Sequence, residues 1–135
     1  MQLVESQVNA SALVEIFGAA FMDVTDFDAD SFRVKGEKVP VNVTVDSDRK
    51  LIKFHFFNRM KNINMATASQ IANKMNEEYI FVSFSAVEYE GTIFFTSSYY
   101  MTFKKGLIKY QLVDNLKTFE RITLEAAMAE FGDYF

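Results

Sequence analysis

Cysteine and tryptophan are missing from this chain of 135 residues, and proline and histidine occur once each, as Pro40 and His55. Without cysteine there can be no disulfide, no thiol nucleophile and no thiolate metal ligand. A lone histidine in a cysteine-free chain also excludes the usual zinc ligand sets. These absences suit a reducing compartment. Because the first stretch, MQLVESQVNAS, lacks a basic region and an apolar core, we expect a cytoplasmic protein of bacterial type.

Long apolar runs and phosphate-binding loops are lacking as well. No stretch approaches the roughly 18 apolar residues of a membrane span, so we expect no membrane partner. The five glycines are scattered singly, without the spacing of a phosphate loop or a dinucleotide fingerprint. No serine lies in a nucleophile elbow. The sequence therefore predicts no enzyme: no catalytic residues, no cofactor and no metal site.

One acidic stretch imitates a calcium-binding loop. Asp26, Asp28, Asp30 and Glu37 occupy positions 1, 3, 5 and 12 of an EF-hand, but position 6, which should be glycine, is Ser31. The residues after Glu37 alternate like a strand and do not form the pattern of an exiting helix. We interpret the stretch as an acidic turn between a helix and a strand.

Apolar residues are abundant and show clear periodicities. Half of the chain is hydrophobic and phenylalanine occurs fifteen times, which is enough to build a core. Helical spacing predicts helices over residues 13–24, 64–79 and 109–131, with Asn64 as a cap and with a break at Thr123 left open. Alternation predicts a short strand over residues 32–34 and two hairpins over residues 41–57 and 80–103. The order α-β-β-β-α-β-β-α predicts an α+β fold with helices packed on an antiparallel sheet.

The second half of the chain resembles a known family. The segments IANKMNEEYIFVSFSAVEYEGTIFFTSSYY and KKGLIKYQLVDNLKTF, within residues 71–119, resemble the YbjN family, described as bacterial sensory transduction regulators. The resemblance implies one domain over residues 1–135 with a fold like that of type III secretion chaperones. It also implies a homodimer that holds an extended peptide segment. The family brings no catalytic residues.

The second hairpin is aromatic on both faces, whereas a strand with one wet face alternates apolar and polar residues. Three helices can cover one face of the sheet. We expect the other face to be buried against a partner or between two copies of the chain; the alternative is that a terminal helix folds over it. The candidate interface residues are Phe81, Val87, Tyr89, Phe95, Tyr99 and Tyr100.

The first hairpin is basic. Its cations, a candidate patch for an anionic ligand, are Arg49, Lys50, Lys53, Arg59 and Lys61. With phenylalanines between them, these residues allow an alternative function as a small-molecule or single-stranded nucleic-acid binding module. The net charge of −4 disfavours nucleic acid. The favoured hypothesis is a non-enzymatic regulatory or chaperone-like protein that binds a polypeptide as a homodimer.

Overall fold

Six antiparallel strands form the main sheet of the computed structural model, which describes residues 2–135. The strands are β2 (Asp23–Thr25), β3 (Ser31–Lys35), β4 (Pro40–Asp46), β5 (Leu51–Met60), β6 (Ser83–Tyr89) and β7 (Thr92–Thr102). Their order across the sheet is β2-β3-β4-β5-β7-β6, so β2 and β6 are its edges. Two short strands, β1 (Gln2–Leu3) and β8 (Leu107–Ile108), pair separately.

Three helices accompany the sheet: α1 (Ala10–Ala19), α2 (Met65–Glu78) and α3 (Lys109–Phe131). Asparagine caps start the first two. The Oδ1 atom of Asn9 accepts the Ala12 N–H at 2.8 Å, and Oδ1 of Asn64 accepts the Thr67 N–H at 2.8 Å. The predicted α+β fold and its order of long elements are confirmed, and α3 runs through Thr123 without a break.

The two predicted hairpins are also confirmed, except that the first strand of the second hairpin begins at Ser83 instead of residue 80, because the chain turns at Phe81, where φ is 80°. Between β4 and β5, Oδ1 of Asp46 accepts the N–H groups of Asp48 and Arg49 at 3.1 and 3.0 Å, which fixes the turn. Between β6 and β7, Glu90 and Gly91 both have positive φ angles, 50° and 79°. Two such residues make the turn whose twist matches that of the flanking strands.

The prediction for the first helix was wrong at its C-terminal end. The helix ends at Ala19 instead of continuing to residue 24, because the chain turns there into a left-handed C-terminal cap. Phe21 has φ 64°, its N–H donates to the Gly18 carbonyl at 3.0 Å, and the Met22 N–H donates to the Phe17 carbonyl at 3.1 Å. This pair of bonds is the Schellman motif, in which glycine usually occupies the position of Phe21.

All three helices lie on one face of the sheet, and the core is between the two layers. Ring pairs join them: Phe17 with Phe32 under α1, and Phe54 with Phe119 under α3, at centroid distances of 6.0 and 5.9 Å. At the β6 edge, the side-chain amide of Asn76 on α2 donates to the Phe84 carbonyl at 2.8 Å and accepts the Phe84 N–H at 2.7 Å. No helix of the described chain is long and apolar enough to cross a membrane.

Candidate functional site: the open face of the sheet

The face opposite the helices includes the outward-pointing side chains of β5, β7 and β6, which we call the open face. Strand register sets them in rows. Phe57 lies beside Thr96 and then Ser85, and Arg59 lies beside Phe94 and then Val87. Because side chains alternate along a strand, every second residue from Lys53 to Arg59 and from Thr92 to Tyr100 belongs to this face. No helix packs on it anywhere in residues 2–135.

Apolar and aromatic groups on the open face are exposed to a degree unusual for a sheet. The exposed fractions are 67% for Tyr89, 55% for Tyr100, 46% for Phe57 and 43% for Val87. The Phe57 and Phe94 rings meet edge to face with centroids 5.9 Å apart. Phe57, Val87, Tyr89 and Phe94 line a shallow groove of about 670 Å³. Because large exposed apolar patches are typical of interaction surfaces, this face is the candidate functional site.

Hydroxyl groups and cations supply the polar chemistry of the groove. The Ser85 and Thr96 hydroxyls are hydrogen-bonded to each other. The Lys53 ammonium lies 5.6 Å from the centre of the Tyr100 ring, within range of a cation–π interaction. Lys53 and Arg59 are the charged residues at the outward positions of these strands, and no carboxylate stands among those positions. The face is therefore cationic on a chain whose net charge is −4.

His55 lies in the middle of the groove, half-buried, between Lys53 and Phe57 on β5. Burial, and then the nearby Lys53 charge, lower the pKa of the imidazole below its usual 6.5. Its ring centroid is 5.8 Å from that of Phe57. A neutral imidazole at pH 7 makes His55 a hydrogen-bonding group of the groove and leaves the positive charge to Lys53 and Arg59.

The six predicted interface residues do not share a face. Val87, Tyr89 and Tyr100 belong to the open face, but the prediction is wrong for Phe95, which is fully buried on the helix side. Tyr99 also points to the helix side, where it stacks on Phe81 with centroids 4.2 Å apart and accepts a hydrogen bond from Asn115. The physical reason is parity: even-numbered residues of β7 face outward. The alternative in which a terminal helix covers this face was wrong as well.

The predicted basic patch separates into two groups. Lys53 and Arg59 point outward from β5 onto the open face, and Lys61 follows that strand. Arg49 and Lys50 lie in the β4–β5 turn, where Arg49 is 3.7 Å from Asp46 and Lys50 is 3.5 Å from Glu5. Of the five predicted cations, Lys53 and Arg59 therefore lie on the open face, and only Lys53 lines the groove.

Phe94, Thr96 and Ser98 were not predicted as residues of the site. Each belongs to the outward parity of β7, and all three line the groove. A prediction that the two hairpins pair with Lys53 opposite Tyr100 would have placed these three residues in the site. That pairing joins strands distant in sequence, which a single chain's periodicity does not specify.

The acidic stretch that imitates a calcium loop is a turn, as predicted, but it joins strands β2 and β3 and does not follow a helix directly. Asp26 lies 3.5 Å from Arg33, and Oδ1 of Asp28 accepts the Ala29 N–H at 2.8 Å. Glu37 stands beyond β3, at the next turn. In residues 2–135 these side chains form no cluster that could hold a metal ion.

Comparison with known proteins gives a likeness in fold. No family model matches the sequence, and no curated protein matches it. Among solved structures, the chain is similar to the crystal structure of YbjN from E. coli, described as "a putative transcription regulator". The TM-score is 0.80 at 10% sequence identity, and the superposition covers 98% of this chain and 97% of that one. The resemblance noted in the sequence is thus confirmed in three dimensions: this chain has the YbjN fold.

Proposed function

We propose that this chain is a non-enzymatic regulatory or chaperone-like protein that binds an acidic polypeptide segment on the open face of its sheet. We further propose that it acts as a homodimer in the bacterial cytoplasm, for which the cysteine-free sequence is suited. One observation carries the proposal: the open face is aromatic and rich in hydroxyls, its two charged residues are both cations, and none of the three helices covers it.

The shape of the face favours a polypeptide over a small molecule. A small ligand is usually bound in a concave pocket that covers most of its surface. The groove here is shallow and runs across three strands, with Tyr89 and Tyr100 more than half exposed. An extended chain can follow such a surface, with apolar side chains on Phe57, Phe94 and Val87 and backbone groups near the hydroxyls of Ser85 and Thr96.

The charge of the face favours an acidic segment. Lys53 and Arg59 stand at separate positions on β5, and the open face offers no carboxylate to attract a basic partner. Single-stranded nucleic acid would use the same aromatics, but its binding depends on a groove of cations that follows the phosphates. Two cations on a chain of net charge −4 provide little of that attraction.

A titration with defined probes tests the proposal. We would follow amide and aromatic NMR signals while adding a twelve-residue extended peptide that alternates Val with Glu, a matched peptide with Lys in place of Glu, and an oligothymidylate. We expect the acidic peptide to shift the signals of Phe57, Val87 and Phe94 and to bind at least tenfold more tightly than the other two. Stronger binding of the oligothymidylate would favour the nucleic-acid alternative, and no shift with any probe would contradict the proposal.

A pair of charge variants locates the site. Lys53→Glu should weaken binding of the acidic peptide at least fivefold, because it reverses one of the two cations of the face. Lys74→Glu makes the same change at an exposed position of α2, on the helix side of the sheet, and serves as the control. Equal effects of the two variants would show that only the net charge matters.

A further inference from the structure

A second apolar surface lies away from the open face, in the groove between α1 and the start of α3. Its walls are Ala12, Glu15, Ile16, Ala19 and Ala20 from the first helix and Lys109, Tyr110 and Val113 from the third. Leu3 of the N-terminal strand also lines the groove, which has a volume of about 490 Å³. The lining is apolar except for Glu15 and Lys109.

Phe21 follows Ala20, a residue of this groove's wall, in the sequence. The side chain is 98% exposed and the backbone is left-handed, with φ 64°. Glycine adopts that conformation freely, whereas a bulky residue is strained there. The phenyl ring therefore adds strain and contributes no packing within the chain. Tyr110, on the opposite wall, is 76% exposed.

We infer that this groove is the contact between two copies of the chain, each placing Phe21 against the groove of the other. The inference deepens the homodimer part of the proposed function by naming the surface. A two-fold contact uses the same patch on both copies, so the patch must complement itself. An exposed ring that adjoins the wall of an apolar groove in the sequence can meet that requirement.

The charges of the groove are also self-complementary. Glu15 and Lys109 stand on opposite walls, and neither makes an ion pair within residues 2–135. Two-fold pairing allows Glu15 of each copy to approach Lys109 of the other. The open face lacks this property, since two copies placed face to face would oppose Lys53 and Arg59 with cations.

The exposed area is of the size that a dimer needs. An aromatic side chain buries ~150–250 Å² when covered. Phe21 and Tyr110 together thus supply about half of the ~800 Å² that each partner of a stable complex buries. The remaining groove lining, with Val4 and Ile108 exposed nearby at 56% and 42%, can supply the rest.

Sedimentation velocity of the full chain at ~10 μM is the first test, with the subunit mass of 15.5 kDa as the reference. We expect the wild type to sediment as a dimer and Phe21→Gly as a monomer whose melting temperature is not lowered. Ile80→Ser removes a side chain that is 88% exposed near the end of α2 and should leave the dimer intact. A monomeric wild type, or a dimer that survives Phe21→Gly, would overturn the inference.

A charge exchange gives an independent readout. Glu15→Lys and Lys109→Glu should each raise the dimer dissociation constant at least tenfold, and the double variant should restore it. A double variant no better than the single ones would contradict the pairing. Monomeric Phe21→Gly should still bind the acidic peptide on the open face, so the dimer contact and the peptide site can fail separately.

Discussion

His55 couples the open face to pH. Its pKa is lowered by burial and by Lys53, so the folded chain binds fewer protons than the unfolded chain just below pH 6.5. The free energy of unfolding should therefore be fully maintained above pH 6.5 and fall as the pH drops through the lowered pKa. We expect the wild type to lose more stability between pH 7.5 and pH 5 than His55→Gln does, measured by urea unfolding.

The comparison with His55→Gln removes the contribution of the carboxylates, which titrate in both proteins. Parallel stability curves for the two proteins would show that His55 has the same pKa folded and unfolded. Lys53 is a second cause of the lowered pKa of His55. Introducing Lys53→Ala into both the wild type and His55→Gln should therefore reduce the difference between their stability curves without abolishing it.

Single residues differ in how far the sequence predicts their role. Asn64 was predictable as a cap, because a side-chain acceptor just before a helical pattern satisfies a local N–H group. Phe21 was not predictable, since its spacing continues the apolar face of α1 while its backbone ends that helix. Helical periodicity depends on the spacing of apolar side chains, so it does not indicate a left-handed cap that forms without glycine.

Glu120 ties α3 to the turn between β3 and β4. This side chain is 4% exposed, and its Oε2 atom accepts the N–H groups of Lys38 and Val39 at 3.2 and 3.1 Å. Glu120→Ala should lower the free energy of unfolding by about 3 kcal/mol, because one buried and one partly buried backbone donor lose a charged acceptor. Urea unfolding at pH 7 measures the loss.

Two further variants serve as comparisons for the stability loss of Glu120→Ala. Glu120→Gln keeps an acceptor oxygen and should cost about 1 kcal/mol, since the bonds lose their charge assistance. Glu125→Ala, on the exposed side of the same helix, breaks a 3.7 Å pair with Arg121 and should cost at most about 0.5 kcal/mol. Equal losses at positions 120 and 125 would argue that the helix alone is being weakened.

At the level of elements, the kind of each long helix and strand followed from periodicity, but the face of each strand did not. Strand β4 alternates valine with polar residues, so its buried side is evident. Strand β7 carries Phe94 and Tyr100 on one face and Phe95 and Tyr99 on the other, and its pattern fits either orientation. The orientation is fixed by contacts with α3, such as Phe95 with Phe131 at 5.4 Å, which are long-range in sequence.

For the whole molecule, the order of long elements predicted the layers, and the candidate site emerged only when the layers were assembled. Three helices on one side leave the other side uncovered, a conclusion that the number of helices already favoured. The groove itself joins Phe57 of β5 to Phe94 of β7, residues brought together by a pairing of two separate hairpins. The surface between α1 and α3 gave no sequence signal, because alanines at helical spacing are equally typical of a core.

The contact between Asn76 and Phe84 affects how molecules of this protein behave at high concentration. An exposed sheet edge is a template on which further chains can add as strands, leading to fibrous aggregates. The amide of Asn76 offers Phe84 one donor and one acceptor, the same pair that a peptide group of an incoming strand would offer.

We expect Asn76→Ala to aggregate faster than the wild type at 37 °C, measured by light scattering. The control Asn73→Ala, at an exposed position of the same helix, should behave as the wild type. Unchanged aggregation of Asn76→Ala would mean that the edge is protected by other means. Faster aggregation of Asn76→Ala would show that the side chain of Asn76, positioned by α2, prevents strand addition at the β6 edge.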